Sequence, residues 1–300
     1  MQRTLETSTS WIHGVHLDQD GRSGVRFHPA GVDEGIVFVR SDVPGEPEIR
    51  CLPDRLKTMP RWTSLEEGGH WVHHTEHVLA AIAFAGVDNL RVEINSDRLP
   101  FMTDGSCAPF YDLIQQAGLA DQGLPRKIYR LKEPAFFLDD RGTTGVPLDA
   151  PSVQNGRYIL ALPSEGFSVS TVFHWSHVES LPVGVAEYEA LNESTERSLL
   201  TSRSYLVETE KEHVRGLLGP IEDRVMMLYP GCPPALAQEA ARHKIVDFIG
   251  DMMILGKPLA GRYLAFRAGH RIHHEFLQSL IAQDLLECIE PVISSGRGAP

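Results

Sequence analysis

Arg242-His243-Lys244-Ile245-Val246-Asp247-Phe248-Ile249-Gly250-Asp251 is the stretch from which the rest of this chain is best read. Its apolar residues recur at helical spacing. His243 and Asp247 stand four positions apart, so on a helix they share a face and their side chains can converge. A histidine and a carboxylate on one face are two of the three protein ligands that a catalytic zinc site uses, the fourth position being left open. The plainer alternative is an ion pair on a helix surface. The motif alone does not separate the two; the residues around it in the chain must.

The chain has 300 residues, of which 42% are hydrophobic and 23% charged. That is the make-up of a globular protein with length for two domains, each with a core. A formal net charge of -12 argues against binding nucleic acid through bulk charge. Arg242, Lys244, Arg262, Arg267 and Arg271 nevertheless gather in the C-terminal third, where they would suit an anionic ligand. The cysteines, at 51, 107, 232 and 288, are far apart and form no CxxC, so neither a zinc finger nor a disulfide framework is indicated. The start lacks the apolar stretch of a signal peptide, and the run Val78 to Val87 is too short to span a bilayer. A reducing, cytoplasmic location is expected.

Strand patterns dominate the first third, at Val25 to Phe27, Ile36 to Val39 and Asn89 to Ile94. The spacing predicts a helix over 74–84, capped by Thr75 and stopped at Gly86, and a second over 109–118. Residues 119–127 read as a polar linker. Strand signals resume at 128–131, 157–162 and 167–173, a long polar and helical stretch covers 185–218, and a short strand follows at 225–228. Helices are predicted over 235–255 and 274–286, with a strand and turn between them. The order implies an α+β fold of two similar sandwich domains, 1–122 and 123–300, each a sheet with packed helices.

Three histidine clusters carry potential chemistry. The first is His73-His74-Thr75-Glu76-His77. His73 and His77 form a rival HxxxH pair, but His73 precedes the expected cap, and it reads with His74 as a polar residue facing solvent. Glu76 and His77 begin a helix whose other residues point inward, where a carboxylate and an imidazole need partners or a metal. The second cluster is the opening helix. The third is His270-Arg271-Ile272-His273-His274, in which Gly269-His270 ends an apparent strand and His273 and His274 read as surface residues.

Taken together, these segments resemble the zinc-dependent UDP-3-O-acyl-N-acetylglucosamine deacetylases of lipid A biosynthesis. H-K-I-V-D-F-I-G-D, L-G-K-P-L-A-G and A-F-R-A-G-H carry the likeness at the C-terminal end. T-E-H-V-L-A-A-I, V-D-N-L-R-V-E-I and D-G-S-C-A-P-F look like that family's first-domain signature, and Gln2 to Leu5, Gly14 to Leu17, Pro29-Ala30 and Gly35 to Phe38 like its opening strands.

The resemblance implies a role for each matching residue. His77, His243 and Asp247 would hold zinc in an active site at the interface of the two domains, although Fe(II) suits two histidines and one carboxylate as well. Glu76 would be the general base and His270 the general acid, oriented by Asp251. Ser204 stands where the family has the threonine that helps hold the oxyanion. Lys244, Arg267 and Tyr205 would contact the substrate, Arg267 replacing a lysine. The chain departs from the family pattern at Met102 to Ser106, with an apparent extra residue, at Ser204-Tyr205, and over Cys232 to Glu239. Around Ser176 to Tyr188 the match is weak. The expected substrate is a UDP-linked acylated amino sugar, with peripheral membrane contact by a monomer. A paralogue acting on another N-acetylated sugar and a non-catalytic binding protein of the same fold are the alternatives.

Overall fold

The computed structural model describes the chain except for residues 103, 140–155, 191–192, 219–223 and 291–300, and the side chains of 193–196 and 217–218. Thr103, the apparent extra residue, therefore lies outside the described residues. Six helices are present among those described: α1 (Glu76–Ala85), α2 (Ala108–Gln116), α3 (Glu193–Leu200), α4 (Lys211–Leu218), α5 (Pro234–Met252) and α6 (His270–Ala282).

One arrangement occurs twice. In the first half, strands run across the sheet in the order Ile12–Val15, Arg22–Pro29, Leu90–Ile94, Ile36–Arg40, Glu48–Arg50. In the second, the order is Ala135–Asp139, Arg157–Leu162, Leu259–Phe266, Phe167–Phe173, Gly184–Glu189. Both sets are antiparallel except at the third pairing, Leu90–Ile94 with Ile36–Arg40 and Leu259–Phe266 with Phe167–Phe173. Each central strand is entered from one long helix, α1 or α5, and left towards another, α2 or α6. Ile128–Leu131 and Leu286–Ile289 extend the second sheet to seven strands. The expectation of two similar α+β units holds.

The helices fill the space between the sheets. α1 is apolar nearly all round, with Val78, Leu79, Ala80, Ala81 and Ile82 fully buried, as a helix covered on every side must be. It stops at Gly86, whose φ of 65° is the left-handed conformation that ends helices. α5 starts on Pro234, where a missing N–H costs nothing. Its Gly250 lies against α1 so closely that a Cβ would stand 2.0 Å from the Glu76 carbonyl oxygen. This crossing sets the start of α1 beside the C-terminal half of α5. One apolar core runs through both halves, joining Phe27, Phe38 and Leu79 to Phe248, Ile254 and Phe276.

Some boundaries differ from expectation. The last helix begins at His270, not His274, because Gly269 is extended and the following residues enter the helix at once. The stretch 185–218 is no continuous helix: it holds strands Gly184–Glu189 and Tyr205–Val207 as well as α3 and α4. The segment read as a linker includes Leu119–Asp121, which pairs with Arg3–Leu5. Tyr205–Val207 and Met226–Leu228 pair in parallel on either side of α4, a small unit projecting beside the site. No described helix is long and apolar enough to cross a membrane.

Candidate active site

The crossing of α1 and α5 gathers three potential ligands. His77 leaves the first turn of α1, and His243 and Asp247 lie one turn apart on α5. Their ligand atoms all fall within 4.8 Å of one another. Asp247 Oδ1 is 3.4 Å from His243 Nε2 and 3.7 Å from His77 Nε2. It is buried and accepts no hydrogen bond, which for a buried carboxylate oxygen calls for a cation. His243 Nδ1 donates to the Ser202 carbonyl at 3.1 Å, leaving Nε2 with its lone pair facing the others. Burial lowers the His243 pKa to about 4. Burial also opposes ionisation of Asp247, but His243, His270 and His77 outweigh it and hold the carboxyl below its usual range. Two imidazoles and a carboxylate are a donor set that fits zinc or another divalent ion.

Glu76 and His270 flank this group. Glu76 Oε2 accepts the Thr63 amide N–H at 3.0 Å. His270 opens α6 and turns Nδ1 towards Asp251 Oδ2, 2.9 Å away, and Nε2 towards Asp247, at 4.0 Å. Burial disfavours the charged ring, yet the Asp251 and Asp247 carboxylates overcome it and raise the His270 pKa to about 10. Asp251, fully buried on α5, is ringed by donors: His273 Nδ1 at 2.7 Å and Thr63 Oγ1 at 2.6 Å complete its hydrogen bonds. Its burial is outweighed by His270, His274 and His273, and it stays ionised well below the usual range.

The remaining candidates lie close by. Ser204 Oγ is 3.4 Å from His243 Nε2 and donates to the Gly105 carbonyl at 2.9 Å. Lys244 Nζ donates to the Ala268 carbonyl at 2.7 Å and sits 5.7 Å from the centre of the Tyr205 ring. Arg267 Nε donates to the His174 carbonyl at 3.2 Å. All line one cavity of about 1170 Å³, with Glu76, His77, His243, Asp247 and His270 at its head. Leu17, Met59, Leu206, Val214 and Val225 give the cavity an apolar wall, continuous with a small cluster around Trp62.

The surface reading is overturned for His273 and His274, and for His74. His273 and His274 are fully buried rather than on the surface, because both turn inward to the Asp251 carboxylate and Thr63. As expected from its place before the cap, His73 does not pair with His77: it ends strand His70–His73 and is tied to Ser64 Oγ. His74, with a φ of 63° and a side chain 9% exposed, packs on Trp62 rather than facing solvent. Thr75 holds the cap position of α1 but makes no side-chain cap; its hydroxyl donates to the Thr63 carbonyl. Thr63 carries no motif, and nothing in the sequence marked it.

A family profile for UDP-3-O-acyl N-acetylglycosamine deacetylase matches residues 2–282. The chain belongs to that deacetylase family. A curated UDP-3-O-acyl-N-acetylglucosamine deacetylase from Thioalkalivibrio sulfidiphilus (strain HL-EbGR7) is similar to it, at 32% identity over 298 residues, covering 96% of this chain and 92% of the relative. The deacetylase match spans both halves, and with them every residue of the cavity head.

Proposed function

We propose that this protein is a zinc-dependent amidohydrolase that removes acetate from UDP-3-O-(3-hydroxyacyl)-N-acetylglucosamine in lipid A biosynthesis. The observation that carries the reading is the convergence of His77, His243 and Asp247 with Glu76 and His270 at the head of a cavity with an apolar wall.

A divalent ion bound by the three ligands would supply a Lewis acid for the acetyl carbonyl and make the attacking water more acidic. Glu76, steadied by the Thr63 amide, takes a proton from that water. The water oxygen bonds to the acetyl carbon, and Ser204 Oγ is within reach of the developing oxyanion once it turns from Gly105. His270, charged and held by Asp251, gives its Nε2 proton to the amine as the C–N bond breaks. Acetate and the free amine result. Lys244, Arg267 and Tyr205 would bind the anionic and sugar parts of the substrate, and the apolar wall its acyl chain. The substrate being part lipid, we assign a cytoplasmic monomer in peripheral contact with the membrane. We place the boundary between the halves at 122/123, since Leu119–Asp121 pairs within the first half while Ile128–Leu131 enters the second sheet.

Deacetylation of acylated and non-acylated UDP-N-acetylglucosamine tests the substrate. Strong preference for the acylated sugar is expected; preference for the other would remove the lipid A assignment and leave a deacetylase of another N-acetylated sugar.

A further inference from the structure

Thr63 is fully buried at the start of strand Thr63–Glu67. Each of its polar groups is committed to the reacting residues or their supports. Its N–H donates to Glu76 Oε2 at 3.0 Å, and its carbonyl accepts the N–H of Thr75, just before α1, at 3.1 Å. Its hydroxyl donates to Asp251 Oδ1 at 2.6 Å. A hydroxyl has one proton. With that proton on Asp251, the contact of 2.9 Å between Thr63 Oγ1 and His274 Nε2 must be donated by the ring. His274 Nδ1 lies 3.0 Å from Thr58 Oγ1, which holds the ring in place. The rotor of Thr63 is thereby locked, and both oxygens of Asp251 are taken, Oδ2 by His270 and His273.

We propose that Thr63, locked by His274, is a positioning residue that fixes the Glu76 carboxylate and the Asp251 carboxylate in one frame, and so sets where His270 stands relative to the base. Glu76 lies on α1, Asp251 on α5 and His270 on α6. Proton acceptor and proton donor thus belong to different halves of the molecule, and Thr63 hydrogen-bonds to the first directly and to the carboxylate holding the second. Two proton transfers in one turnover need both distances at once, and small displacements are costly there. Thr63 touches no reacting atom; it acts through Glu76 and Asp251. The inference rests on the deacetylase reading.

The test compares Thr63→Val and Thr63→Ser in the full-length, metal-loaded protein. Valine keeps the backbone donor and the shape but loses the hydroxyl; serine keeps the hydroxyl. Thr63→Val should lower kcat about ten- to hundred-fold, the loss of one hydrogen bond to a charged group, at nearly unchanged KM and metal content. Thr63→Ser should recover most of that kcat. An unimpaired Thr63→Val would overturn the inference alone, as would equal loss in the two variants, which would point to packing. If Thr63→Val does not fold, Thr63→Ala set against Thr63→Ser reads the same hydroxyl. A wild-type protein without deacetylase activity would overturn the deacetylase reading, and this inference with it.

Discussion

At the scale of single residues, the site depends on which buried polar atoms have partners. Asp247 Oδ1 accepts no hydrogen bond, whereas Asp251 is saturated by His270, His273 and Thr63. Two carboxylates one turn apart on the same helix are thus prepared for different work. His243→Ala should remove tightly bound metal and activity together, read by elemental analysis; wild-type metal content would refute the ligand assignment. Asp251→Asn removes the largest of the negative charges that raise the His270 pKa. The sign follows directly: with less negative charge nearby, His270 loses its proton at lower pH. The alkaline limb of the kcat profile should move to lower pH, and kcat should fall on the order of a hundred-fold. An unmoved limb would show that His270 is not the acid.

At the scale of elements, the crossing of α1 and α5 decides whether Glu76 and His77 meet His243 and Asp247. Gly250 permits it, since a methyl group there would lie 2.0 Å from backbone rather than from a yielding side chain. Gly250→Ala improves helix propensity by about 1 kcal/mol, but overpacking typically costs about 1–3 kcal/mol and would push Glu76 away. We expect a lower melting temperature and lower kcat together. A variant as stable and active as wild type would show that the crossing is not tight. The HxxxD spacing was readable because α5 is regular, so its side chains follow from the helical period. The inward turn of His273 and His274 was not readable, because it depends on α6 starting at His270 and on what α5 places opposite.

At the scale of the whole molecule, the repeated five-strand arrangement supplies two equivalent helices, and the site is where they meet. The cavity then has a polar head from α1, α5 and α6 and an apolar wall beside Tyr205–Val207 and α4. Met59, half-buried in that wall, gives a test of what the wall holds. Met59→Glu should raise KM for an acylated substrate by about ten-fold, the cost of putting a charge against an acyl chain, with little change for a non-acylated one. Equal effects on both would place the acyl chain elsewhere.

The sequence by itself determined the α+β class, the helix that bears His243 and Asp247, and the residues that stand in family order. These are local or ordered properties: helical period, strand alternation, and motifs that keep their place along a chain. Only the tertiary structure decided that His77 reaches Asp247, that Asp251 is enclosed by His273 and Thr63, and that the cavity has an apolar side. Each of those pairs residues far apart in sequence, across a contact that Gly250 allows and the shared core enforces. The spacing of a motif says which side chains share a face, but what that face meets is settled by packing.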